Sequence, residues 1–180
     1  MYNQWPMGFH ASSLARQLDH PTSRTRVFIT AAEKFDWKCV TSGFSVLSTD
    51  VSHRGSYNGG GAVVQDSEGN LVGFKFIPLG LNLTELEAGK EGLHYLLNGP
   101  FKDVAIIRFD CDRTYRYFEK MDLEDFSAKD KDYVIKTKSS FKECRFIRIR
   151  SKDNFLADKV ARETRLRAEP RHLSNHRRRC

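Results

Sequence analysis

The sequence contains no run of about 18 apolar residues, so no segment has the character of a membrane-spanning helix. Cysteine is sparse and scattered. Cys39, Cys111, Cys144 and Cys180 form no CxxC pair and have no histidine at zinc-ligand spacing. That argues against a disulfide framework or a zinc knuckle and predicts a reduced intracellular protein, nuclear or cytoplasmic, with an organelle as the alternative. Residues 1–36 lack the apolar core of a secretory signal. They are nearly free of acids before Glu33 and include Ser12-Ser13-Leu14-Ala15-Arg16, a pattern also found in organelle transit peptides. A linker, or the remnant of a longer protein, is the simpler reading of residues 1–42. No internal repeat is visible.

What is present is an ordinary core and an uneven charge. The chain is 39% hydrophobic, with 13 Phe, enough for one domain with extensions. Of its 30 Lys and Arg and 23 Asp and Glu, 13 and 5 fall between Lys142 and Cys180, which leaves 17 and 18 for the rest. A basic end on a near-neutral body suits a partner with a phosphate backbone.

The organising stretch is residues 44–70, where Phe44–Leu47 leads to Asp50, a Gly- and Ser-rich loop follows, and Gly61–Val64 runs to a turn at Asp66–Asn70. Two strands joined by a glycine-rich turn predict a hairpin over 44–51 and 60–66, and Leu71–Pro78 adds a third strand. Thr84 followed by Glu87 is a capping-box start for a helix to about Leu97, with Leu86, Gly89, Leu93 and Leu97 toward the sheet. Glycines at 89 and 92 make sense if that helix lies very close to the strands. Val104–Phe109 reads as a buried strand, parallel to the first across the crossover, and 113–121 as a helix. Residues 122–141 read as a charged surface insertion with one short helix. The last strand falls at 144–150 and a final helix, capped by Asp153, reaches about Arg167. The domain thus spans 43–168, between the N-terminal extension 1–42 and a basic tail 169–180.

Four acids stand at element ends: Asp50, Glu85, Asp112 and Asp158. Singly, each has an ordinary explanation as a helix cap or a partner of the helix dipole. Together, carboxylates from well-separated elements at one sheet edge repel one another unless cations bind or their pKa values rise. Hard oxygen ligands suit Mg²⁺ or Mn²⁺, and two such ions can activate water against a phosphodiester.

In this order the motifs resemble the type 1 ribonuclease H domain, in particular the reverse-transcriptase-like version abundant in plant genomes and retroelements. Gly43–Ser52 stands in the register of that family's G-W-V-K-x-N-x-D-G-S, and Gly60–Gly69 in that of G-G-x-V-x-R-D-x-x-G. Thr84–Ala88 with Gly92-Leu93 matches A-E-L-x-A-x-x-x-G-L, which places the glutamate at Glu85. Asp110-Cys111-Asp112-Arg113 matches E-x-D-S, with the aspartate at Asp112, and Arg148–Ala161 matches H-V-P-R-E-x-N-x-x-A-D-x-L-A. Val51, Ser48, Gln65 and Arg148 depart from the pattern, standing where the family has Gly, Asn, Arg and His.

The resemblance covers about residues 43–163. It implies an α/β ribonuclease H-like fold, a five-stranded mixed sheet of order 3-2-1-4-5 flanked by helices. It implies a monomeric, divalent-metal-dependent endonuclease that cuts the RNA strand of RNA–DNA hybrids with two ions, Mg²⁺ or Mn²⁺. Asp50 would bridge both ions, Glu85 and Asp112 would hold one and Asp158 the other. Ser52, His53, Arg54, Arg148, Arg150, Lys152 and Asn154 would meet the nucleic acid. The alternative is a retroelement-derived module that binds nucleic acid with little or no cutting.

Overall fold

The computed structural model describes residues 43–78, 84–101 and 103–168. The expected N-terminal extension and basic tail lie outside the described residues. Five strands form one sheet: β1 (Ser45–Arg54), β2 (Tyr57–Gln65), β3 (Leu71–Pro78), β4 (Val104–Phe109) and β5 (Glu143–Arg148). Their order is β3-β2-β1-β4-β5, as the resemblance implies. The first three make an antiparallel meander, and β4 and β5 continue it in parallel. Short turns suffice for the meander, whereas each parallel strand follows a helical crossover.

Helix α1 (Glu85–Asn98) opens with the expected capping box, Thr84 Oγ1 accepting from Glu87 N–H and the Glu87 carboxylate accepting from Thr84 N–H. Leu93 and Leu96 go to the core, while Leu97 is exposed, one position off the predicted stripe. Gly89 and Gly92 do bring α1 close: a Cβ at Gly89 would stand 3.1 Å from the Phe109 ring, and one at Gly92 would collide with Thr49.

After β4 the chain makes α2 (Asp112–Tyr115), which widens into a π-type turn over Arg116–Lys120 and stops at Met121 in the left-handed region, φ 54°. The stretch read from sequence as an insertion holds a full helix, α3 (Ala128–Ser139), started by a second capping box between Ser127 and Asp130. Tyr117 Oη donates to Asp130 at 2.6 Å, which ties the π-type turn to α3. Phe109, Phe118 and Phe146 stack with centroids 5.1–6.1 Å apart and fill the core on this side of the sheet. Beyond β5, a 3₁₀ turn at Ser151–Asp153 leads into α4 (Phe155–Ala168) on the opposite face.

The hairpin differs from its sequence reading. β1 and β2 run on to Arg54 and Tyr57, and the turn itself is Gly55-Ser56, with Gly55 at φ 58°. Gly59 thus joins Gly60 and Gly61 inside β2, and Gly59 and Gly61 serve packing. A Cβ at Gly61 would stand 2.6 Å from Ala161 N and 2.7 Å from Ala157 O, so α4 rests backbone to backbone on β2. Gly61→Ala should push α4 outward and cost roughly 1–3 kcal/mol of stability in urea unfolding; an unchanged midpoint would contradict this contact.

Candidate metal centre and its surroundings

β1 and β4 pair only from Ser45↔Ala105 to Ser48↔Arg108. Past that point β1 keeps β2 on one flank, while the other flank presents unpaired backbone groups from alternate residues, and these need partners. Two side chains supply them. Asn154 Nδ2 donates to Thr49 O at 2.9 Å, and Val51 N–H donates to Glu85 Oε1 at 3.2 Å. The first tie draws the start of α4 to β1, and the second draws the start of α1 to it. Asp50 lies between the two tied residues.

Asp50, Glu85 and Asp110 offer carboxylate oxygens within 4.8 Å of one another. Burial, then the charges of Asp110 and Asp158, push the Asp50 carboxyl up to about 7. Burial, then Asp50 and Asp110, push Glu85 up to about 8. The two carboxyls lie side by side and titrate as a coupled pair, both shifted toward the protonated form in the absence of a cation. A divalent cation would favour the ionised forms. All-oxygen donors in a partly buried, like-charged group fit a hard ion such as Mg²⁺.

The third carboxylate corrects the sequence reading. Asp110, not Asp112, joins Asp50 and Glu85. Asp112 is the first residue of α2, is exposed, and has Arg148 Nε 3.8 Å from its carboxylate. The signal for Asp110 was present in the strand pattern. The pairing Ser48↔Arg108, extended by two residues, sets Asp50 beside Asp110. Phe109 packs in the core beneath α1, so alternation turns Asp110 to the opposite face, the one Asp50 occupies. Asp158 stands near enough to raise Asp50, but its Oδ1 accepts from Arg162 Nε at 2.9 Å.

The residues expected to meet nucleic acid divide into three groups. Exposed side chains at the hairpin end include His53, whose Nδ1 is 2.9 Å from Asn58 Oδ1, and Arg54. Ser52 Oγ accepts from Arg165 Nε at 3.0 Å, which brings forward an arginine that the motifs did not single out. Arg148, Arg150 and Lys152 are exposed around the 3₁₀ turn, with Arg150 held by Asp153 at 2.8 Å. Asn154 falls outside both sets, because it is 2% exposed and its Nδ2 donates to Thr49 O of β1. It clamps the start of α4 to β1. The Val51 side chain is buried in the core cluster with Leu47 and Leu93.

Two expectations test this arrangement. Asn154→Ala removes the partner of Thr49 O and should cost about 1–3 kcal/mol in denaturant unfolding, with α4 the first element to lose hydrogen-exchange protection. The raised carboxyls set the sign of the pH dependence. Their ordinary values are 3.8 and 4.5, so their contribution is fully present below about pH 4 and is lost as pH rises through about 7 and 8. The metal-free melting temperature should fall from pH 5 to 8.5, less steeply in Asp50→Asn, and millimolar Mg²⁺ should restore it at pH 8.5. A flat profile in the wild-type chain would contradict the coupled pair.

No family model matches this sequence, and no curated protein matches it. Solved structures do match in shape. RNase H1 from the halophilic archaeon Halobacterium salinarum superimposes with a TM-score of 0.60 at 17% identity, over 69% of this chain and 98% of that one. The N-terminal RNase H domain of rv2228c from Mycobacterium tuberculosis gives 0.57 at 18% identity, over 71% and 96%. LC11-RNase H1, solved in complex with an RNA/DNA hybrid, gives 0.54 at 19% identity, over 69% and 98%. At these identities the likeness concerns architecture, and together with the strand order it identifies the described chain as a domain of the ribonuclease H-like fold.

Proposed function

We propose that this protein is a divalent-metal-dependent endonuclease that hydrolyses the RNA strand of RNA–DNA hybrids. The observation that carries the reading is the convergence of Asp50, Glu85 and Asp110 within 4.8 Å, from β1, the start of α1 and the end of β4. Support for the substrate comes from LC11-RNase H1, a neighbour in shape that was solved with an RNA/DNA hybrid. The order of motifs from Gly43 to Ala161 favours the reverse-transcriptase-like version of the family.

In this reading Asp50, Glu85 and Asp110 would hold two divalent ions, Mg²⁺ or Mn²⁺, and Asp158, here paired with Arg162, would be the fourth carboxylate. The bound ions would supply an activated water and a stabilised leaving oxygen. Cations held there would favour the ionised forms of Glu85 and Asp50, so loading would be pH-dependent through the same pair that governs metal-free stability. Exposed Arg54 and His53 on one side, and Arg148, Arg150 and Lys152 on the other, flank the carboxylates and take phosphates of the hybrid. The RNA strand is told from DNA by its 2′-hydroxyls and groove shape, so the cut should be largely indifferent to sequence.

The test is cleavage of a labelled hybrid with Mg²⁺, with Mn²⁺ and with chelator. Asp50→Asn and Asp110→Asn should each lower the rate by at least about a hundredfold, whereas Asp112→Asn should stay within a few-fold of wild type. Equal losses at Asp110 and Asp112 would refute the assignment. A folded protein that binds hybrid in a salt-sensitive way yet cuts nothing with either metal would refute the nuclease and leave a binding module.

A further inference from the structure

The basic segment that follows β5 is fastened at both ends to one strand. Ile149 N–H donates to Phe109 O at 2.9 Å, which carries the β4–β5 pairing past Arg148. The Arg108 guanidinium donates through Nη2 to Asp153 O at 3.0 Å. Between these ties the chain closes on itself, Asp153 N–H donating to Arg150 O at 2.8 Å and Asn154 N–H to Ser151 O at 3.0 Å. Arg150 and Lys152 therefore sit in a short stretch whose two anchors are consecutive residues of β4, directly before Asp110. Asp153 is used twice. Its carbonyl accepts from Arg108, and its carboxylate accepts from Arg150 Nε at 2.8 Å.

The residue type at position 108 suits this task. Alternation puts Arg108 on the same face as Asp110, two residues away along β4. With Asp110 as the aspartate of E-x-D-S, Arg108 falls on that motif's glutamate. In the last motif, Arg148, Arg150, Ser151 and Lys152 fall on H, P, R and E, so the segment is more basic than the pattern it resembles. A glutamate at 108 is an acceptor only and could not bond the Asp153 carbonyl. It would also attract Arg150 and Lys152 and compete with phosphate for them. A guanidinium holds the turn by its backbone and leaves the cations of the segment to an anionic partner.

We propose that Arg108 is a positioning residue for nucleic-acid binding, which presets the 3₁₀ turn so that Arg150 and Lys152 meet phosphates of the hybrid at a fixed offset from Asp50, Glu85 and Asp110. This rests on the reading of the protein as a binder of RNA–DNA hybrid and does not require that it cut. A turn ordered before the hybrid arrives lowers the ordering cost of binding. Arg108 acts through Asp153 and need not touch the hybrid.

The test is binding of a fluorescent RNA–DNA hybrid to the full-length chain, read by anisotropy across a salt series, with chelator present so that nothing is cut. Arg108→Met should raise Kd about tenfold and flatten the slope of log Kd against log salt by about one to two phosphate contacts. Arg108→Lys, which keeps a charged donor, should recover most of that loss. A double-mutant cycle separates positioning from direct contact. Arg150→Ala and Lys152→Ala should each weaken binding about three- to tenfold in the wild-type chain, but less than about twofold in Arg108→Met. Losses that multiply would show Arg108 acting on its own and overturn the proposal, as would a folded Arg108→Met of wild-type affinity. The two surface variants keep the test decisive even if Arg108→Met does not fold, because binding unmoved by either leaves Arg108 nothing to position and overturns it. A chain that passes the cycle yet cuts nothing with Mg²⁺ or Mn²⁺ would refute the nuclease while supporting this role. A wild-type chain with no salt-sensitive binding of hybrid would overturn both.

Discussion

Where β1 outruns β4, its free flank must find hydrogen-bond partners, and the answer to that requirement shapes the domain. Thr49 O and Val51 N–H are served by Asn154 and Glu85, side chains from opposite layers of the fold. Leaving either group buried and unpaired costs about as much as a substantial fraction of a small domain's net stability. The same two bonds therefore fasten the starts of α4 and α1 to the strand that carries Asp50. Glu85 reaches the carboxylate group as a consequence of satisfying a backbone donor, so the chemistry and the fold share one contact. The pair of acids is a source of repulsion in the empty protein, and the peptide bond at Val51 partly offsets it by favouring the charged form of both.

The helices hold their positions through complementary means on the two faces. On one, aromatic stacking of Phe109, Phe118 and Phe146 gives a thick layer, and Lys90 lies over the rings of Tyr117 and Tyr133 at 4.8 and 5.1 Å. On the other, the separation is reduced to backbone contact at Gly59 and Gly61, and Thr164 Oγ1 donates to Gly60 O at 2.9 Å. A close, rigid α4 matters because Asp158 sits on it beside the carboxylate group.

Much of this was legible in the residues. Strand alternation and the Thr84–Glu87 box gave the elements, and the resemblance carried by the motifs gave the strand order. The errors have physical origins. The hairpin reads too short, as 44–51 and 60–66, because the Gly and Ser between them leave the same letters whether they serve a turn or, as at Gly59, close packing. Helix α3 is strongly charged and buries little beyond Val134 and Thr137, so its periodicity is faint and only its capping box announces it. Asp112 was preferred to Asp110 by motif alignment, although strand register, which needs the parallel pairing as an added fact, selects Asp110. Asn154 shows the reverse limit: a polar residue in a motif reads as a contact with substrate, and only tertiary geometry reveals that its partner is the neighbouring strand.

The shared register of β1 and β4 separates two kinds of change to the chain. Residues added between β3 and α1, or between α1 and β4, leave the offset of the paired strands untouched and so leave the acids in place. A single residue lost or gained within β4 would rotate its pattern by half a period, turning Phe109 toward the carboxylates and Asp110 into the aromatic layer. Length variation in relatives of this chain should accordingly collect in the connections, with β4 conserved in length even where its apolar residues exchange freely.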